Sequence, residues 1–236
     1  MIPKIILALF ILIIGLFGMQ RLWLNYNQKE KVKLGRVVLA IEDAKSKGKR
    51  DVQLPAPIPL YASVSNLDEA LANYSIVIMR PVRRVSQIGP NSKEIETWYK
   101  LEIVEYLSQP NRVSACLSCI SATDIPTELR SIGENELLVV QNVGSVVSDG
   151  ITVTSTDLMF PEFKFEHEYL LFVSIDPNTR IGEIELGPAG VSVIDAGGEL
   201  KPISEKSHKL NDELTARFGK IQNVKQELKF RRFPPQ

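Results

Sequence analysis

Cys116 and Cys119 form a Cys-x-x-Cys pair and are the only cysteines in the chain. Such a pair supports a disulfide or plain thiols, dithiol redox exchange, or half of a zinc site. Redox use needs the first thiol at a helix amino terminus, and no βαβ pattern surrounds this pair. Zinc needs four ligands, of which the pair supplies two, while His167 and His208 lie far off without ligand spacing. Only a dimer sharing two pairs would complete the set. A structural disulfide or free thiols is the first reading, thiol redox or metal binding the alternative, and neither a metal nor a cofactor is assigned.

His167 stands between Glu166 and Glu168 at the start of an apolar run. Strand alternation sends the two glutamates to the face opposite the histidine, so no local dyad forms and a solvated strand edge is expected. No Gly-x-Ser-x-Gly elbow surrounds a serine. Gly187-Pro188-Ala189-Gly190 and Gly197-Gly198 read as turns, because no phosphate-binding or dinucleotide fingerprint contains them. Arg80, Arg83 and Arg84 with Lys100 could form an anion or partner patch, and the plainer reading is a charged strand face.

The elements that must position these residues begin with an apolar leader. Ile5 to Met19 runs fifteen residues without a charge, after a short cationic start at Met1 to Lys4. A bilayer core needs about 20 helical residues, with about 17 as the lower limit. Residues 5–24 reach that by including Gln20 and Arg21, with Trp23 and Tyr26 suited to the interface. Small residues at cleavage spacing are missing, because Leu16 precedes Gly18 and Ile13 precedes Gly15. An uncleaved single-pass anchor in an inner membrane is therefore expected, with secretion the outcome if the leader is cut. The β domain is expected outside the cytoplasm. The count of Arg21, Lys29, Lys31, Lys33 and Arg36 against Lys4 favours the opposite orientation, and the conflict stays open.

With 28 basic and 28 acidic residues in 236 and 44% hydrophobic content, the chain is neither disordered nor collagen-like. Zero formal charge and a pI near 6.8 argue against nucleic acid as a partner. Four segments are expected: an anchor or signal over 1–27, a helical stalk and Pro-rich linker over 28–64, a β domain over 65–203, and an amphipathic helix over 204–236. The linker is placed at Leu54 to Leu60, which holds three prolines.

Asn66 and Glu69 have capping-box spacing ahead of Leu67, Ala70 and Leu71, predicting a short helix that ends near Tyr74. The period then changes to two. Ile95, Thr97, Tyr99, Leu101 and Ile103 alternate with polar residues, predicting a half-buried strand, and Ile76 to Ile88 predicts its long partner, bulged or at an edge near Pro81. Leu137 to Val147 and Ile151 to Thr154 flank Asp149-Gly150, a hairpin signal. Tyr169 to Ile175 predicts a central strand, and Val191 to Ile203 a further hairpin around Gly197-Gly198. About seven strands with these turn intervals imply a closed or nearly closed antiparallel barrel, with a sandwich as alternative. Leu210, Leu214, Phe218, Ile221, Val224 and Leu228 form one helical stripe, which docks on the barrel or the stalk or recognises a partner.

LDEALANYSIVI at 67–78, ETWYKLEIVEYL at 96–107, EHEYLLFV at 166–173 and GPAGVSVI at 187–194 follow one another in this chain. In that order they resemble a domain of uncharacterised exported bacterial proteins, similar in layout to the oligonucleotide/oligosaccharide-binding (OB) barrel of tissue inhibitors of metalloproteinases and netrin modules. The resemblance covers roughly residues 65–203 and implies an OB-like antiparallel barrel with no catalytic set. The chain departs from it in Arg112 to Asn135, where a cysteine-bearing insertion replaces the usual lysine-glycine turn. The expected function is non-enzymatic: a membrane-anchored interaction or structural module that engages another envelope protein.

Overall fold

The computed structural model describes residues 35–57, 61–90, 92–108, 123–205 and 208–232. The expected membrane segment at 5–24 and the pair Cys116 and Cys119 lie outside the described residues. Among the described residues, no helix is long and apolar enough to cross a membrane.

The chain enters the described body through α1 (Arg36–Ser46), which buries Val37, Ile41 and Ala44. These side chains cluster with Ile95, Ile151 and Val153. Strand β1 (Asp51–Pro55) follows, a stretch expected to be stalk and linker. It pairs in parallel with β6 (Ile151–Thr156) through its whole length, so Leu54 and Pro55 belong to a sheet. Pro55 is tolerated because β1 is an edge strand, with β6 on one side only. Strand β5 (Gly144–Ser148) completes this three-stranded sheet from the other side of β6, joined by the Asp149-Gly150 turn. Both turn residues have positive φ, 53° and 74°, the geometry that makes Asp-Gly a hairpin signal.

Asn66 caps α2 (Leu67–Asn73) as its spacing requires: its Oδ1 accepts the Glu69 amide at 3.0 Å. The Glu69 carboxylate in turn accepts the Ser65 amide at 2.7 Å, one residue earlier than in a strict capping box. β2 (Ser75–Ile88) and β3 (Ile95–Ser108) then form the long hairpin, with a register shift between Pro81 and Arg83. Two further shifts lie at Ile76/Val77 and Ile78/Met79, and the one after Pro81 falls where the proline nitrogen cannot donate to the ladder.

The second sheet orders its strands β10-β9-β7-β2-β3-β4-β8, with an additional pairing of β7 to β8. Here β4 is Glu136–Gln141, β7 Glu168–Ile175, β8 Ile181–Glu183, β9 Val191–Ile194 and β10 Leu200–Pro202. Because β8 pairs in parallel with β4 and antiparallel with β7, the pairings return to their starting point through β2, β3, β4, β8 and β7. The molecule is mainly β, in two sheets. The expected single strand from Leu137 to Val147 is two strands in different sheets. The chain turns at Asn142-Val143 into Gly144, whose φ of +125° suits glycine and where a Cβ would collide with Thr97 Oγ1.

β7 and the first part of β2, Ile76 to Met79, are apolar at both parities because they are buried on both faces. Val77, Met79, Leu171 and Val173 face a core shared with Tyr99, Leu101, Leu137 and Val139. Ile76, Ile78, Leu170 and Phe172 face the helices. All six residues of the carboxy-terminal apolar stripe are buried there, but five of them on two helices, α3 (Lys209–Arg217) and α4 (Ile221–Arg232), and Phe218 in the break between. One continuous helix is replaced by a break at Gly219, φ +63°. The break lets the backbone pair with the β9–β10 turn: Gly219 O accepts from Leu200 N at 2.9 Å, and Ile221 N donates to Gly198 O at 2.9 Å.

Candidate functional site

Register divides the four cations expected to form a patch. Arg83 lies opposite Lys100 and Arg80 opposite Glu102, on the face of β3 that carries Trp98, whereas Arg84 lies opposite Tyr99 on the other face. Arg80 pairs with Glu102 at 2.7 Å, Arg84 pairs with Glu162, and Lys100 pairs with Glu136 at 3.2 Å. Arg83 is exposed and forms no ion pair among the described residues. The structure therefore brings Arg80, Arg83 and Lys100 to one face, with carboxylates interleaved, and sends Arg84 elsewhere.

The Trp98 face is covered by the chain itself. Ile125, Leu129 and Ile132, from the segment ahead of β4, pack with Trp98, Leu138 and Ile181. This strap is pinned by polar contacts: Gln87 Nε2 donates to Asp124 O at 2.8 Å, and Lys100 Nζ donates to Ser131 O. The Gly133 amide holds the Glu136 carboxyl below its usual range, assisted by Lys100. Burial pushes Glu96 up, opposed by a hydrogen bond from Trp98 Nε1.

Arg84 leads to the other face of the hairpin. Its partner Glu162 belongs to the β6–β7 connection, residues 157–167, which arches over a half-open cleft of about 620 Å³. Val143, Met159, Pro161, Tyr169, Val193 and Ile203 give the cleft an apolar lining. Asp157, Glu162, Lys164, His167 and Glu205 supply its charged and ionisable groups. The loop holds its shape through Phe160 and Phe163, packed edge-on at 6.1 Å, and through Phe163 edge-on to Tyr99 and Tyr169. Asp157 Oδ1 accepts the Met159 amide at 2.8 Å, and the Tyr169 hydroxyl accepts the Lys164 amide at 2.7 Å. With those groups turned inward, Leu158 is 89% exposed and Phe165 45% exposed. The Arg84 guanidinium lies 6.0 Å from the Phe165 ring centre.

His167 lines this cleft with its ring edge-on to Tyr169 at 6.2 Å, and Glu166 is exposed. Burial raises the Tyr99, Tyr61 and Tyr169 hydroxyls, with Glu162 adding to the effect at Tyr99 and Asp157 at Tyr61. These phenols keep their protons at neutral pH. The Tyr99 and Tyr169 rings serve in packing, and the Tyr169 hydroxyl also in hydrogen bonding. Among the described residues, no group of three or more His, Cys, Asp or Glu could hold a metal ion. The arrangement is suited to binding: an apolar floor, a charged rim and exposed apolar residues beside it.

Sequence reasoning missed Leu158, Glu162, Lys164 and Phe165. A signal was present in LMFPEFKFEH at 158–167, which contains three phenylalanines where a plain strand connection needs polar turn residues. No family model matches the chain, and no curated protein matches it as a relative.

Proposed function

We propose that this chain is a membrane-tethered, non-enzymatic interaction module built on an OB-like barrel, and that it engages another protein of the cell envelope. The leader at 5–24 would tether it to an inner membrane, with the β domain outside the cytoplasm. The barrel reading is supported by the circuit of pairings through β2, β3, β4, β8 and β7, since the OB fold is a partly open barrel of five strands. The order of its elements also supports the likeness to exported netrin-like domains. OB folds bind oligonucleotides and oligosaccharides on the face of their second and third strands. The corresponding face here, on β3 and β4, is filled by Ile125, Leu129 and Ile132. That favours a protein over a nucleic acid as partner.

The observation that carries the proposal is the cleft beneath the β6–β7 loop, with Leu158 exposed in its lining and Phe165 exposed on the same loop. Photo-crosslinking tests it, with benzoylphenylalanine placed at Arg83, Val147 or Leu158 of the full chain in native membranes. The expected result is a discrete adduct with one and the same protein from at least one position. No adduct from any of the three overturns the module.

A further inference from the structure

We infer that the cleft beneath the β6–β7 loop binds an extended stretch of partner polypeptide in which apolar side chains flank a lysine or arginine. This rests on the interaction-module reading and gives it a ligand class. Size is the first argument. A cleft of about 620 Å³ falls within the roughly 300–1,000 Å³ of ligand sites, room for a few side chains. Its floor is apolar, formed by Val193 of β9, Ile203 beyond β10, Val143 and the Tyr169 ring.

Charge is the second argument. The rim holds Asp157, Glu162 and Glu205 against Lys164 and the His167 imidazole. Arg84 already neutralises Glu162, so Asp157 and Glu205 are the carboxylates that an incoming cation would meet. The Asp157 carboxylate is oriented by the Met159 amide through Oδ1. An anionic ligand, phosphate-bearing ones included, would face like charge, whereas a cation flanked by apolar groups complements both rim and floor.

Extent is the third. Leu158, which lines the cleft, and Phe165, farther along the same loop, are both exposed, so apolar surface continues past the cavity at Phe165. A small amphiphilic cation would fill the cavity and leave that surface wet. A polypeptide segment covers both.

The test uses the full chain in phosphatidylcholine nanodiscs and two fluorescein-labelled peptides, Gly-Leu-Lys-Val-Lys-Leu-Gly and its twin with glutamate for lysine, read by fluorescence anisotropy. The lysine peptide is expected to bind saturably and at least tenfold more tightly than its twin. Asp157→Asn with Glu205→Gln is expected to weaken it at least fivefold, and Leu158→Ser at least threefold, with Val104→Ser, an exposed residue of β3 outside the cleft, unchanged as a surface control. Equal binding of the two peptides, or full binding by the double variant, overturns the inference. Displacement by tetrabutylammonium at the peptide's own concentration would assign the cleft to a small cation and overturn it equally. Failure of the peptides with a partner adduct still formed from Val147 removes the cleft and keeps the module. Cleft binding with no adduct anywhere does the reverse.

Discussion

Trp98 on β3 is 2% exposed and packs in an apolar cluster, whereas Leu158 in the β6–β7 loop is 89% exposed beside an apolar cleft floor. The difference lies in what the chain supplies next to each. Beside Trp98 it supplies a strap, Ile125 to Gly133, whose apolar side chains cover the surface and whose backbone is tied down by Gln87, Lys100 and Glu136. Beside Leu158 it supplies a loop that spends its aromatic rings on its own stiffness and leaves the floor open. A face sealed by the molecule's own chain contributes to stability, and one left open by a stiff loop is available to a ligand.

The largest effect expected from that contrast is on the sealed side. Trp98→Ala removes a side chain buried against Leu129 and Leu138, and should lower the unfolding free energy by about 3–5 kcal/mol in a denaturant titration. A loss under about 1 kcal/mol would mean that the strap does not seal this face. Gly144→Ala should come next, at about 1–3 kcal/mol, because it combines a φ of +125° with a collision against Thr97. Gly144 carries the chain out of β4 past Val143 of the cleft, so this variant should also weaken binding of the lysine peptide.

A smaller effect concerns acid. The folded Glu136 carboxyl sits below its ordinary range, first because of the Gly133 amide and then because of Lys100. Its contribution is therefore complete above the ordinary glutamate pKa and is lost as pH falls through the depressed folded value. Glu96 acts oppositely, since burial raises it and its contribution fades as pH rises. The difference between wild type and Glu136→Gln isolates the first: unfolding measured from neutrality into acid should show the two stabilities converging. Parallel curves would detach Glu136 from the strap. The smallest effect on stability is that of Leu158→Ser, within about 0.5 kcal/mol, since the side chain packs on little. Its consequence should appear in ligand binding alone.

Much of the sheet was legible because burial on one face leaves a period of two. Ile95, Thr97, Tyr99 and Leu101 are buried as their alternation requires, and Asp149-Gly150 makes its hairpin. Asn66 caps its helix for a reason contained within four residues. What escaped depends on partners distant in sequence. β1 is a strand because β6, about a hundred residues later, lies alongside it, and nothing within Asp51 to Pro55 announces that. The break at Gly219 exists because the β9–β10 turn claims its carbonyl, while the apolar stripe runs through it undisturbed. The strap and the cleft escaped for the same reason: loop residues are apolar in response to surfaces assembled elsewhere. The four cations were legible as charges, but register and carboxylate partners decided where they sit.

β7 pairs with three strands of the second sheet, β2, β8 and β9. Tyr169 to Val173 run antiparallel to β2 along one edge, while on the other Glu168 to Leu171 pair with β9 and Ser174 and Ile175 with β8. Peeling away β9 frees only the front of this strand, and unlatching β8 frees only the rear; either way it stays zipped to β2. Partial openings are thereby confined to the periphery. Tyr169, which supports the floor of the cleft, belongs to the most persistent piece of the molecule, so a visitor would meet a bed that does not rearrange, and any adjustment in fit must come from the arch above.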